Sequence, residues 1–185
     1  NNISLSCYGG ETALAAYAVI AYVAFFVQIM IQSVGDGSQP LISVYRGAGD
    51  ADAVRRLRNT NYLVAIAFGF VGLGIMFAVR NAIPLLFGAS DIVKPVIAYA
   101  LPVFSICYIF YGFTHTTTSY FYAVDDSRSS NTLVVAESII VCAVVFIMGL
   151  LFQVDGIWFS PTVLQMLLCI IAGTLLYRRH KAQKE

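Results

Sequence analysis

The sequence contains five long stretches that carry almost no charge, and this feature limits what the chain can fold into. The stretches extend over residues 12–45, 61–79, 96–124, 132–154 and 156–177. The only acidic residues within them are Asp36 and Glu137. Each stretch has roughly the 20 residues that a helix needs to cross a bilayer. Lipid offers no partner to open backbone and no alternating strand pattern is present, so all five are predicted to be helices.

The overall composition leads to the same conclusion. Of the 185 residues, 59% are hydrophobic and 11% are charged, whereas a soluble domain has about 25% charged residues. A soluble domain of about 150 residues still exposes roughly 30% of the surface of its unfolded chain, so it could not cover this much apolar surface. We therefore predict an all-α polytopic membrane protein, a bundle of five transmembrane helices.

Three further classes of protein find no support in the sequence. The net charge of +1 gives no basic field for nucleic acid, so we expect no nucleic-acid partner. The four cysteines are far apart in the sequence, so we expect no metal site and no disulfide framework. The motifs of serine hydrolases, zinc proteases and P-loop enzymes are also absent, which argues against an enzyme.

Arginine and lysine predict the orientation of the helices. Arg80 and Lys94 fall on one side of the predicted membrane domain, 12–177. The other side holds Arg46, Arg55, Arg56, Arg58, Arg128, Arg178, Arg179, Lys181 and Lys184. The positive-inside rule makes the side with nine the cytoplasmic one. We expect a multi-pass protein of the plasma membrane, with the segment 1–11 outside and the tail 178–185 in the cytoplasm. The odd number of helices and the start at Asn1 suggest a piece of a longer protein.

The first stretch is longer than a bilayer requires and contains Gly35, Gly37 and Pro40. One interpretation is a proline kink that neighbouring helices fill. The other is a hinge, or locally opened backbone, beside a cavity. The residues alone favour neither interpretation.

A polar stripe runs along the same stretch. It consists of Gln28, Gln32, Asp36, Gln39 and Ser43. At about 100° per residue these positions lie within an arc of roughly 80°. Such a stripe can form hydrogen bonds between helices, or it can line a water-filled path in which Asp36 binds a proton or a cation. The second interpretation is favoured, because a carboxylate at mid-bilayer costs at least about 2.5 kcal/mol.

The third stretch carries a similar stripe of aromatic and hydroxyl groups. Its members are Tyr108, Tyr111, His115, Thr118 and Tyr122. Aromatic faces attract cationic guests, although tyrosines also pack well between helices. In the fourth stretch, Glu137 can extend toward water, cap a neighbouring helix or accept protons, and the first of these is favoured at its depth.

Several short motifs resemble the multidrug and toxic compound extrusion (MATE) family. The run from Gly37 to Ser43 reads GSQPLIS and is followed by GAGD at 47–50. It is similar to the G-x-Q-P-(I/L)-I-S run and the aromatic-Gly-Ala-Gly turn of that family. The segment IPLLFG at 83–88, and GIW at 156–158 with Pro161, look like later family segments. Arg46, Leu164 and Val124-Asp125 depart from the usual pattern.

The resemblance implies two six-helix lobes in one chain, of which these five helices would be most of the C-terminal lobe. Export of amphipathic or cationic compounds in exchange for sodium ions or protons would follow, with no other cofactor. The partners would be the lipid bilayer, the N-terminal lobe and a small organic substrate. Coupling to the ion is expected at Asp36, Gln32, Gln39 and Glu137, and substrate contacts at Gln28, Tyr108, Tyr111 and His115.

Three alternatives stay open at this stage. A relative that flips lipid-linked saccharides would share the fold, and basic residues lining its cavity would favour it. A membrane-embedded enzyme would need several converging histidine or acidic groups. A structural subunit would have no need of Asp36.

The topology can be tested by cysteine labelling in intact cells. Single cysteines near Arg56 and Lys181 should be protected from a membrane-impermeant reagent, and those near Ser90 and Asp155 should react, because the basic side is cytoplasmic. The reverse pattern would contradict both the orientation and the lobe assignment.

Overall fold

A computed structural model describes residues 10–182, and within that range the chain is helical, with short turns and no strand. The helices are α1 Gly10–Gly47, α2 Ala51–Val79, α3 Ala82–Leu86, α4 Val93–Ser105, α5 Cys107–Ala123 and α6 Ser127–Ala182. Four units are long and apolar enough to cross a membrane: α1, α2, α4 with α5, and α6. The all-α polytopic fold class is confirmed.

The last helix, α6, is a hairpin of two helical arms. At about 1.5 Å per residue its 56 residues would extend about 84 Å, far beyond a hydrocarbon core of about 30 Å. Gln153 has non-helical torsion angles, φ 52° and ψ −129°. Contacts between Glu137 and Gln165, and between Asp126 and Arg179, join positions on either side of it. The arms before and after Gln153 therefore run antiparallel, which gives the bundle five membrane-length helices.

Gly156 makes this reversal possible. A Cβ atom at Gly156 would overlap the carbonyl group of Met148 and the side chain of Phe152. Any larger residue would push the two arms apart at the turn. The close contact between the two arms thus explains why the GIW motif begins with glycine in this structure.

Some helix boundaries differ from those expected. The second helix begins at Ala51 instead of 61, because Asp50 accepts a hydrogen bond from the Ala53 N–H at 2.8 Å and caps it. Apolarity marks only the part of a helix that lies in lipid, so the basic first turns were missed. The short α3 was also not predicted. The expected helix 96–124 is α4 followed by α5, with a tight turn at Ile106, whose N–H bonds to Val103 O at 3.4 Å.

The first helix is continuous through the three residues expected to form a hinge. Gly35, Gly37 and Pro40 all lie inside α1, and the backbone around them stays helical. The locally opened backbone is therefore not a feature of this structure. Bending of α1 during a transport cycle stays a prediction.

Helices α2 and α5 cross at close range because a glycine of each helix lies against the main chain of the other. A Cβ atom on Gly69 would lie 2.8 Å from Tyr108 O, and one on Gly112 would lie 2.8 Å from Ala65 O. Small residues commonly allow such approach between membrane helices, where dispersion contacts replace the hydrophobic effect. Helix α5 is fixed in this way, and it carries the predicted aromatic stripe.

This contact predicts which glycine substitutions the bundle tolerates. Gly112→Ala should lower the free energy of unfolding by about 1–3 kcal/mol, because the added methyl group meets a main-chain carbonyl. Gly74→Ala is the matched control, since nothing lies within 4 Å of its Cβ position. Circular dichroism during unfolding in detergent measures the free energy of unfolding of both variants. Equal stability of the two variants would show that the glycine contact is not required.

Candidate functional site

Asp36 of α1 is the centre of a hydrogen-bonded cluster between α1 and α5. Its Oδ1 atom accepts hydrogen bonds from Ser119 Oγ at 2.9 Å and from Gln39 Nε2 at 3.2 Å. His115 Nε2 lies 3.1 Å from the same oxygen. The Asp36 side chain is 45% exposed and that of His115 is 20% exposed. The structure thus brings together three of the predicted site residues, Asp36, Gln39 and His115.

Ser119 was not predicted as part of this site. It lies four residues after His115, on the same face of α5, and this spacing is the signal that could have identified it. Gly35 lets the two helices approach at this point. A Cβ atom on Gly35 would lie 2.9 Å from Ser119 Oγ. Gly35 is therefore a close-packing position against the Asp36 partner, whereas a Cβ on Gly37 would meet nothing within 4 Å.

A cavity of about 200 Å³ adjoins the cluster along the neighbouring face of α5. The rings of Tyr111 and His115 stack along it, with centroids 5.5 Å apart. It lies between α5 and the two arms of α6. Its lining residues are Tyr111, Thr114, His115, Thr118, Tyr122, Leu133, Val134, Glu137 and Leu168. His115 therefore connects the two places: its Nε2 atom faces Asp36 and its ring faces the cavity.

Glu137 is exposed, lines this cavity and is joined to α5 by two hydrogen bonds in series. Thr114 Oγ1 donates to Gln165 Oε1 at 2.6 Å, and Gln165 Nε2 donates to Glu137 Oε1 at 3.3 Å. Gln165 was not singled out in the sequence, although it is a polar residue within a charge-free stretch. The two acidic residues of the apolar stretches thus lie near neighbouring faces of α5, and His115 contacts Asp36 and lines the cavity that Glu137 also lines.

Two of the remaining predicted site residues, Tyr108 and Gln28, lie further away. Tyr108 is fully buried in the apolar core and faces Gly72 of α2, so the structure does not bring it to the cavity. Gln28 is half-buried on α1, about two turns before Asp36, and continues the polar face of that helix away from the cluster. Gln32, one turn before Asp36, is close enough to hydrogen-bond its carboxylate and is a fourth predicted residue at the cluster.

At the other end of α5, an ion pair closes the α6 hairpin. Arg179 Nη1 donates to Asp126 Oδ2 at 2.6 Å. Asp126 also accepts hydrogen bonds from the N–H and the hydroxyl of Ser129, as expected for an N-cap. Burial alone raises the pKa of Asp126, but the hydrogen bonds from Ser129 and Arg179 outweigh burial, so its pKa lies below the usual value.

Comparisons with known proteins agree with this architecture. The family model described as MatE matches residues 2–148. The chain is 20% identical over 176 residues to the multidrug export protein MepA of Staphylococcus saprophyticus. This match covers 95% of the chain but only 39% of the relative, so the chain spans well under half of that protein. No solved structure matches the chain.

The Asp126 ion pair predicts a pH dependence of stability. A carboxyl with a lowered folded pKa stabilises the fold above its unfolded pKa, and this contribution is lost as the pH falls through the folded value. The native protein should have a higher free energy of unfolding than Asp126→Asn. This difference should be constant above about pH 5 and shrink below about pH 4. Unfolding in detergent across this pH range measures it.

Asp125→Asn is the control for this measurement. Asp125 is exposed, and its φ of 56° suits asparagine equally well. Its substitution should change stability little at any of these pH values. The same pH profile for both variants would show that the Arg179 contact does not stabilise the hairpin.

Proposed function

This chain belongs to the MatE family, and we propose that it is one lobe of a transporter that exports amphipathic or cationic organic compounds by antiport. Sodium ions or protons would drive the exchange. The observation that carries the proposal is Asp36, a carboxylate inside a membrane-length helix that contacts a histidine beside an aromatic cavity. Members of this family are transporters, which fits the expectation that the protein is not an enzyme.

The exposed polar face of α1 supports a two-lobe arrangement. Asp36 is 45% exposed in this bundle, and lipid is a poor neighbour for a carboxylate. The face that carries it would instead contact water or a second lobe. The relative is more than twice as long as the matched region, which leaves room for such a lobe. We assign the present helices to the C-terminal lobe, on the motif resemblance, with rocking of two lobes as the mechanism of alternating access.

The Asp36 cluster suggests how an ion and a guest affect each other. An ionised Asp36 accepts three hydrogen bonds at one oxygen, including that from His115. A proton or a sodium ion on this carboxylate would weaken its attraction for His115. Because the ring of His115 also lines the cavity, a change in its position would then be felt by a bound guest. Such a shared group provides the coupling free energy that antiport requires, and that coupling is reciprocal.

The cavity itself suits a cationic or amphipathic guest. The stacked rings of Tyr111 and His115 offer an aromatic surface, and Glu137 offers a negative charge. No arginine or lysine is among the described residues that line it. A saccharide carried on a lipid phosphate would call for basic groups there, so drug export is favoured over the flippase function. Gln32 and Gln39 would complete the polar path along α1, and Gln28 would contact the guest.

The orientation follows from the same reasoning as the sequence prediction. We place the protein in the plasma membrane, with the end of α1, the beginning of α2 and both ends of α6, which carry most of the arginines, in the cytoplasm. In that orientation the loop that contains Asp126 is cytoplasmic. The C-terminal tail is then cytoplasmic too.

The role of Asp36 is tested by Asp36→Asn in the complete transporter. Asparagine keeps the shape of the side chain and a hydrogen-bond acceptor, but it cannot titrate. We expect normal insertion, at least tenfold slower ion-driven efflux of a fluorescent cation, and equilibrium binding of that cation changed by less than about threefold. Transport is measured in proteoliposomes under an imposed sodium or proton gradient.

Two further variants make the test specific. Gln32→Ala, one turn away on the same face, should reduce coupling more mildly, because water can replace an amide. Asp91→Asn removes an exposed carboxylate in the loop before α4, at the other end of the bundle from the basic loops, and should leave efflux unchanged. Full efflux with unaltered ion dependence in Asp36→Asn would show that Asp36 only packs against α5.

A further inference from the structure

A second cavity, of about 240 Å³, lies at the end of the bundle where α1 ends and α2 begins. We call it the basic pocket. Its lining residues are Arg46, Gly49, Ala51, Asp52, Val54, Arg55, Arg58, Tyr120, Val124 and His180. Four helices contribute to it: the ends of α1, α5 and α6 and the beginning of α2. It is separate from the Asp36 cluster and from the aromatic cavity.

Positive charge dominates the basic pocket. Arg46, Arg55 and Arg58 line it together with His180, whereas Asp52 is the one acidic residue among the described lining residues. Within residues 10–182 none of the three arginines forms an ion pair with an acidic side chain. Three guanidinium groups with one carboxylate leave an excess of positive charge that an anion would balance.

One of these arginines is held in a fixed orientation. Arg58 donates from Nε and Nη2 to Asn59 Oδ1, at 3.3 and 3.1 Å. Its guanidinium also lies over the ring of Tyr120, 5.4 Å from the centroid. A guanidinium held in this way loses less conformational entropy when it binds an oxyanion. The first turn of α2 adds the positive end of a helix dipole to the same cavity.

An adjoining groove points to the source of the anion. This groove, of about 380 Å³, shares Arg55, Arg58 and His180 with the basic pocket and adds Tyr62, Leu176 and Tyr177. Tyr177 is 72% exposed on the outside of the bundle. The shared arginines therefore lie between a polar pocket and an apolar edge. A phospholipid matches this arrangement, because its phosphate would lie in the polar pocket and its acyl region along the apolar edge.

We propose that the basic pocket binds the phosphate group of an anionic phospholipid, with its glycerol and acyl region along the adjoining groove. Arg46 and Arg55 bind the phosphate oxygens, and Arg58 on Tyr120 supplies a third, prepositioned contact. Basic pockets between membrane helices at the cytoplasmic surface recognise such headgroups. The lipid bridges the ends of four helices, so its binding stabilises the folded bundle. This proposal does not depend on the transported compound or on the coupling ion.

The test uses the full-length protein in nanodiscs of phosphatidylcholine that contain a small fraction of phosphatidylglycerol. Native mass spectrometry counts the phosphatidylglycerol molecules retained after release from the nanodisc. We expect one tightly retained lipid, and about tenfold weaker retention in Arg55→Gln, because a charge-assisted hydrogen bond is lost. Arg55 is exposed, so this variant should fold normally.

Arg56→Gln is the matched control. Arg56 is the next residue of α2, it is also exposed, and it is not among the residues that line the basic pocket. Its substitution removes the same charge and should weaken retention by no more than about twofold. Arg55→Lys should fall between the two variants, because lysine keeps the charge but not the bidentate geometry. Equal losses in Arg55→Gln and Arg56→Gln would overturn the proposal.

A second measurement separates a lipid from a free phosphate. Thermal unfolding in detergent is followed with added phosphatidylglycerol, phosphatidylcholine or inorganic phosphate. Phosphatidylglycerol should raise the midpoint in the native protein and in Arg56→Gln, with little effect in Arg55→Gln, and the other two additives should have no effect. Equal stabilisation by inorganic phosphate would overturn the lipid assignment, and stabilisation by phosphatidylcholine would overturn the role of charge.

Discussion

A carboxylate inside a membrane helix must find its polar partners within the protein, and α5 supplies them to Asp36. Ser119 and His115 of α5 bond to the same oxygen of Asp36, and Gln39 of α1 completes the set. The contact fixes the rotation of α1 relative to α5, because only one face of each helix carries these groups. The other elements of the candidate site take their positions from α5: the cavity, the stacked Tyr111 and the link from Thr114 to Gln165.

Close backbone approach allows these polar contacts to form. Gly35 admits Ser119 on one side of α5, and Gly69 and Gly112 bring α2 against it on another. Gly156 has the corresponding role in the α6 hairpin. Hydrogen bonds of about 3 Å between side chains as short as serine and aspartate require helices whose facing residues are small. Gly35 is thus part of the polar site, because its lack of a side chain leaves room for Ser119 beside Asp36.

Charge is separated along the bundle into two regions with different roles. Within the five apolar stretches the acidic residues are Asp36 and Glu137, and both lie near α5. At the basic end, Arg179 pairs with Asp126, while Arg46, Arg55 and Arg58 line a cavity in which Asp52 is the one acidic residue among the described lining residues. The first region suits the proposed ion and guest, and the second suits a phosphate. Tyr120 and His115 are both on α5, so the same helix contributes to both regions.

The sequence alone predicted the fold class, the five membrane-length helices and the family, because apolar length and short motifs are local properties. It also identified Asp36 and the face of α5 that contains His115, since helical spacing determines which residues share a face. It could not show which neighbour that face would meet. Lipid-facing and core-facing surfaces of a membrane helix are equally apolar, so the pattern did not separate the buried Tyr108 from Tyr111 at the cavity. Ser119, Gln165 and the steric role of Gly35 depend on helix packing, which only the tertiary structure decided.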